Sequence, residues 1–110
     1  MKHRPWYKRY PSNFLSGTLE MPFEEKGAYS ILLDLMYDKG GAIDDDHQWI
    51  ARALGMSTRL WKSIREKLII RGKLVSRDGK LTNLKFEEEI KKAVFQSKKA
   101  AENGLKGGIK

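Results

Sequence analysis

Residues 57–80 have the sequence STRLWKSIREKLIIRGKLVSRDGK, which contains a helix signal followed by a hairpin signal. Ser57 is a residue type that commonly caps a helix N-terminus, and Gly72 is typical of a helix end. Between them Trp61, Ile64 and Leu68 recur at helical spacing, with Leu60 beside them. The pattern predicts a helix over 58–71.

A β-hairpin is predicted directly after this helix. Residues 73–77 (KLVSR) and 80–83 (KLTN) flank Asp78-Gly79. That dipeptide favours a two-residue turn with positive backbone angles.

The charge of the chain is unevenly distributed along the sequence. The net charge is +8, and residues 57–80 carry eight bases and two acids, whereas residues 12–56 carry three bases and eight acids. On a helical wheel Arg59, Lys62, Ser63 and Glu66 face away from the apolar side of the 58–71 helix. Basic charge gathered in one unit can attract phosphates. The alternative is a merely solvated basic surface.

Two more helices are predicted upstream. Pro22, Glu24 and Glu25 suit the start of a helix over 22–38 that ends before Gly40-Gly41. Gly27 inside it indicates either close approach of another segment or a simply tolerated glycine. The three aspartates 44–46 resemble an acidic cap of a short helix over 45–54 stopped by Gly55.

The two ends of the chain differ from its middle. Residues 5–18 mix aromatics, prolines and glycine, which predicts an extended arm anchored by Trp6, Tyr7, Tyr10 and Phe14. Apolar spacing predicts a last helix over 85–102 that frays over 103–108. We therefore expect an aromatic and basic arm at 1–18, a folded domain at 19–96 and a basic, Gly-rich tail at 97–110.

The order of helix, short helix, cationic helix and hairpin is that of a winged helix-turn-helix, so the expected fold is mainly α with a small β-hairpin. Such a fold would place the 58–71 helix in a DNA groove. The candidate nucleic-acid-binding residues are Ser57, Thr58, Arg59, Lys62, Ser63, Arg65 and Lys67 on this helix, Arg71, Lys73, Arg77 and Lys80 around the wing, and Arg4, Lys8 and Arg9 in the arm.

Each group has a structural alternative. The 58–71 helix could be one wall of a three-helix core, with its charges simply solvated. A winged helix does not by itself imply DNA binding, because winged helices also bind proteins. The wing charges could simply blunt exposed strand edges, and basic termini are often mobile without a function.

Other classes of function find little support. The chain has no cysteine, which excludes disulfides and thiolate metal sites. Asp44–Asp46 with His47 invite a metal or acid–base interpretation, but helix capping explains the aspartates better. No nucleophile elbow or phosphate-binding glycine loop is present, so we expect neither an enzyme nor a cofactor.

Two further expectations concern the core and the compartment. Trp49 and Trp61 are expected in the core, and the absence of an export or membrane signal favours the cytoplasm.

The chain resembles the YdaU-like proteins of phages and prophages over nearly its whole length. The resemblance rests on Trp6-Tyr7, FLSGT at 14–18, EEKGAY at 24–29, Asp45-Asp46, LGMS at 54–57, Trp61, GKLTN at 79–83 and AAENGLKGG at 100–108. In that family the domain often precedes a second region in proteins suspected of initiating phage replication.

The resemblance and the charge pattern together predict a DNA-binding module for phage replication initiation or origin recognition. A homodimer would enlarge the small contact area that one such module offers. The alternative is a protein-interaction module, docking through its acidic part on a replication or host-defence complex.

Overall fold

Helices form most of the part of the chain that the structure describes, residues 10–108 of a computed structural model. A small antiparallel sheet accompanies them, so the expected mainly helical class is confirmed. The elements are α1 Pro11–Gly17, α2 Phe23–Lys39, β1 Ile43–Asp44, α3 His47–Leu54, α4 Thr58–Ile70, β2 Val75–Arg77, β3 Lys80–Thr82 and α5 Leu84–Gly108. None of the described helices is long and apolar enough to cross a bilayer.

The core lies where α2, α3 and α4 meet. Trp61, Ile64 and Leu68 of α4 are 0–2% exposed, as their helical spacing predicted. They belong to the same buried cluster as Leu32 of α2 and Ile50 of α3. Three consecutive turns of α4 therefore present one apolar side to two neighbouring helices.

The predicted hairpin is confirmed and gains a third strand. Asp78 (φ 52°) and Gly79 (φ 74°) form the turn with the expected positive angles. Strand β1 pairs antiparallel with β3 through Ile43 opposite Leu81, so the sheet order is β1-β3-β2. A two-residue strand has too short an alternation to be recognised from sequence.

The capping residues place the N-terminal ends of α2, α3 and α4 within about two residues of the predicted ends. Ser57 accepts a hydrogen bond from the Leu60 N–H (3.1 Å), as its residue type indicated. Asp46 accepts one from the Trp49 N–H (3.1 Å), so α3 begins at His47 rather than at residue 45. Pro22 is the N-cap of α2, just ahead of the helix that was predicted from residue 22.

The extended arm expected over 5–18 is wrong for its second half, because residues 11–17 form α1. Pro11 occupies the first helical turn, where its missing N–H costs nothing. The Thr18 hydroxyl donates to the Phe14 carbonyl (2.8 Å), and the Phe14 ring stacks on Tyr29 with centroids 5.8 Å apart. Tertiary packing thus stabilises a helix too short to stand alone. Trp6 and Tyr7 lie outside the described residues.

Two further expectations need correction. Trp49 is 49% exposed. Helix α3 buries Ile50 and Ala51, and because successive residues are about 100° apart around a helix, Trp49 falls outside this buried side. The fraying expected over 103–108 is also wrong, since α5 continues to Gly108. Its start is well defined, because Asn83 accepts a hydrogen bond from the Phe86 N–H (2.8 Å).

Gly27 offers a test of the interior of α2. A Cβ at Gly27 would meet no described atom within 4 Å, which supports the tolerated glycine over close approach. Gly27→Ala should raise the free energy of unfolding by about 0.5–1 kcal/mol, because alanine loses less backbone entropy in a helix. Urea unfolding followed by circular dichroism measures the change.

Gly79→Ala is the matched control, because the same added methyl falls on a left-handed turn residue (φ 74°) and should destabilise the protein. Equal destabilisation by both variants would contradict the open environment assigned to Gly27.

Candidate nucleic-acid interface

The outward side of α4 carries an exposed cationic stripe, which we define as Arg59, Lys62, Ser63 and Lys67. All four side chains are exposed. Their position follows from helical geometry, since the opposite side of α4 is sealed by the buried row that begins at Trp61. The sequence prediction that Arg59, Lys62, Ser63 and Glu66 face away from the core is confirmed, so one carboxylate lies on the same side as the cations.

The three cations of this stripe are electrostatically available. Among the residues that the structure describes, Arg59, Lys62 and Lys67 form no ion pair and no side-chain hydrogen bond. No described carboxylate holds these three cations in a direct contact, so an incoming polyanion can displace the counterions around them.

Arg65 is held differently from its neighbours. Its Nε donates to Asp45 Oδ1 (3.0 Å) and its Nη2 to Asp45 Oδ2 (2.5 Å), and both side chains are at most 15% exposed. Ser76 Oγ also donates to Asp45 Oδ2 (3.0 Å). Asp45 thus links α4 to the hairpin, and Arg65 serves mainly to join these elements.

Arg71 and Lys73 are turned towards the N-terminal half. Arg71 Nε donates to Glu25 Oε1 (3.0 Å), and the Glu25 side chain is only 4% exposed. Lys73 is half-buried, with Nζ 5.8 Å from the centre of the Tyr29 ring. These contacts attach the end of α4 and the following loop to α2.

The two cations of the β2–β3 hairpin, Arg77 and Lys80, are paired but accessible. Both Glu87 oxygens accept hydrogen bonds from Arg77 Nη2 (2.8 and 2.9 Å), and Lys80 pairs with Asp44. The Arg77 and Lys80 side chains remain 55% and 48% exposed. Exposed pairs of this kind contribute little to stability, so a phosphate could replace either carboxylate.

The predicted site residues therefore fall into separate groups. The structure brings Arg59, Lys62, Ser63 and Lys67 together, places Arg77 and Lys80 on the β2–β3 hairpin, and turns Arg65, Arg71 and Lys73 towards other contacts. Ser57 caps α4 and Thr58 is half-buried in its first turn. Arg4, Lys8 and Arg9 lie outside the described residues.

The three consecutive aspartates each have a separate structural role. Asp44 pairs with Lys80, Asp45 with Arg65, and Asp46 caps α3. Within residues 10–108, no group of three or more potential metal-binding side chains is found. Sequence reasoning missed the role of Asp45 because its partner lies 20 residues away, a separation for which no local pattern exists.

The pKa values of Asp44 and Asp45 are both lowered by a basic partner, but only that of Asp45 is lowered against substantial burial. Burial acts to raise the pKa of Asp45, but the hydrogen bonds from Arg65 and Ser76 and the Arg65 charge together outweigh it. For Asp44 the hydrogen bond and charge of Lys80 lower the pKa at an exposed site. The Asp45 carboxylate is therefore the one whose ionisation is coupled to packing.

Taken together, these features define a small, mainly helical domain with an antiparallel hairpin and an unpaired cationic helix side. The chain belongs to the family described as Protein of unknown function (DUF1376), whose profile matches residues 5–91. No curated protein and no solved structure matches the chain.

Asp45→Asn tests the link between α4 and the hairpin. The variant leaves a largely buried Arg65 without its carboxylate, so the free energy of unfolding at neutral pH should fall by about 1–3 kcal/mol. Because the folded pKa of Asp45 lies below its ordinary 3.8, its contribution is present above pH 3.8 and disappears as pH falls through the folded value.

Unfolding free energies measured over an acid pH series check this. The variant should lose less stability than the natural protein as pH drops below about 4. Asp44→Asn, which breaks an exposed pair, is the control and should change neutral stability much less. If the two substitutions had equal effects, Asp45 would not be the linking residue.

Proposed function

We propose that this protein is a winged helix-turn-helix module that binds double-stranded DNA, with α4 in the major groove and the β2–β3 hairpin as the wing. It binds without catalysing a reaction. The observation that carries the proposal is the unpaired cationic stripe of Arg59, Lys62, Ser63 and Lys67 on one side of one helix.

The order of elements supports this proposal. The segment α2-β1-α3-α4-β2-β3 has the helix, strand, two helices and hairpin that a winged helix requires. Gly55 (φ 72°) ends α3 and Ser57 caps α4, which leaves the tight connection of a helix-turn-helix. In that arrangement α4 occupies the place of the recognition helix.

The chemistry of the stripe suits DNA. Arg and Lys side chains meet guanine O6 and N7 in the major groove, and Ser63 can contact phosphate or base. Arg77 and Lys80 on the wing would exchange their exposed carboxylate partners for backbone phosphates. The net charge of +8 adds a sequence-independent attraction.

The biological setting is proposed from the resemblance to YdaU-like phage proteins. We place the module in phage replication initiation or origin recognition, because that is the role suspected for the longer YdaU-like chains. The family match gives no function of its own.

Binding to a random-sequence duplex, followed by fluorescence anisotropy over a salt series, tests the proposal. If about five phosphates are neutralised, affinity should fall by a few hundredfold between roughly 50 and 200 mM salt. Arg59→Glu with Lys62→Glu should abolish binding while the circular dichroism spectrum and melting temperature stay the same, because neither side chain contacts the core.

The matched control is Lys98→Glu with Lys99→Glu, which reverses the same charge on exposed residues of α5. This control should weaken binding only modestly, through net charge. Equal losses in both double variants, or salt-insensitive binding, would contradict a site on α4.

A second candidate function is a protein-interaction module. Leu19, Phe23 and Ile70 are 75–87% exposed, so these large apolar side chains are available for contact with a protein. A stable complex with a protein that leaves Arg59 and Lys62 exposed, together with no DNA affinity, would favour this second function over the first.

A further inference from the structure

We propose that Glu66 is a specificity-determining residue that selects a cytosine in the major groove, which makes the protein a sequence-specific rather than a general DNA binder. This inference rests on the proposed function. It concerns a side chain that the cationic character of α4 does not explain.

Glu66 lies in the middle of the exposed side of α4. Arg59, Ser63 and Glu66 are spaced four and three residues apart, so they lie one above another on a single stripe. The Glu66 side chain is 69% exposed and points away from the buried row. Any polyanion that contacts Arg59 and Ser63 along this helix also meets the Glu66 carboxylate.

The hydrogen-bonding capacity of Glu66 is largely unused. Among the described residues its one partner is Arg65, whose Nη1 lies 3.5 Å from Glu66 Oε1, at the limit of a hydrogen bond. Arg65 is committed to Asp45 through its Nε and Nη2. The Glu66 oxygens therefore remain able to accept from a ligand.

A carboxylate at this position is unfavourable for plain phosphate binding. It repels the DNA backbone and offsets part of the attraction of Arg59, Lys62 and Lys67. An exposed charge of this kind contributes little to folding stability in return. The position makes chemical sense if the carboxylate meets a hydrogen-bond donor on a base edge.

Cytosine fits this requirement better than the other bases. Its N4 amino group is the only polar group it presents in the major groove, and it is a donor. Adenine also presents an amino group, but its N7 acceptor lies beside it and would repel a carboxylate. Guanine and thymine present only acceptors there.

The spacing within α4 predicts a feature of the target sequence. Arg59 and Glu66 are seven residues apart, about 10 Å along the helix axis, which is about three base-pair steps. With Arg59 on a guanine, the site should contain a guanine and a cytosine about three positions apart.

Selection of bound duplexes from a randomised pool, followed by sequencing, tests the inference with the full chain. The natural protein should enrich a motif with one strongly preferred cytosine. Glu66→Gln should shift that position towards adenine, because an amide both accepts and donates and so matches N6 and N7. On the selected site, the variant should lose on the order of fivefold to a hundredfold in affinity.

The control is Glu88→Gln, which removes the same charge from an exposed position on α5 and should leave the motif unchanged. A motif that is identical for the natural protein and Glu66→Gln, or no motif at all despite salt-dependent binding, would overturn the role of Glu66 and leave DNA binding intact. Failure of the natural protein to bind any duplex would overturn the proposed function and this inference together.

Discussion

Burial of Trp61, Ile64 and Leu68 is the constraint on which the rest of this structure depends. Full burial of a large apolar side chain contributes about 1.5–3 kcal/mol, whereas an exposed ion pair contributes less than about 1 kcal/mol. Packing therefore decides the rotation of α4 about its axis. Once that row faces α2 and α3, helical geometry places Arg59, Lys62 and Lys67 in solvent, independently of any electrostatic interaction of their charges.

The charge available for binding is smaller than the charge that the sequence contains. Residues 57–80 carry eight bases, but Arg65 and Arg71 are engaged with Asp45 and Glu25, and Arg77 and Lys80 form surface pairs. The two inner pairs attach the middle and the C-terminal end of α4 to the rest of the domain. The cationic stripe is therefore held on a well-supported helix, which is what an oriented contact with DNA needs.

The candidate site was predictable in outline because its outward residues follow from the same wheel that predicted the core. The hairpin turn at Asp78-Gly79, the cap at Ser57 and an acidic cap somewhere within residues 44–46 were also evident, since each signal spans a few residues. The third strand, helix α1 and the exposure of Trp49 were not, because each depends on what packs beside it.

Local periodicity, caps and turn chemistry in the sequence were enough to specify the three central helices, the β2–β3 hairpin and the outward direction of Arg59 and Lys62. Tertiary structure alone decided which cations stay unpaired. Arg65 pairs with Asp45, which is 20 residues away in the sequence, and Arg71 pairs with Glu25, which is 46 residues away. Such partners meet only after the apolar faces have packed, and no pattern confined to one helix turn or one hairpin encodes them.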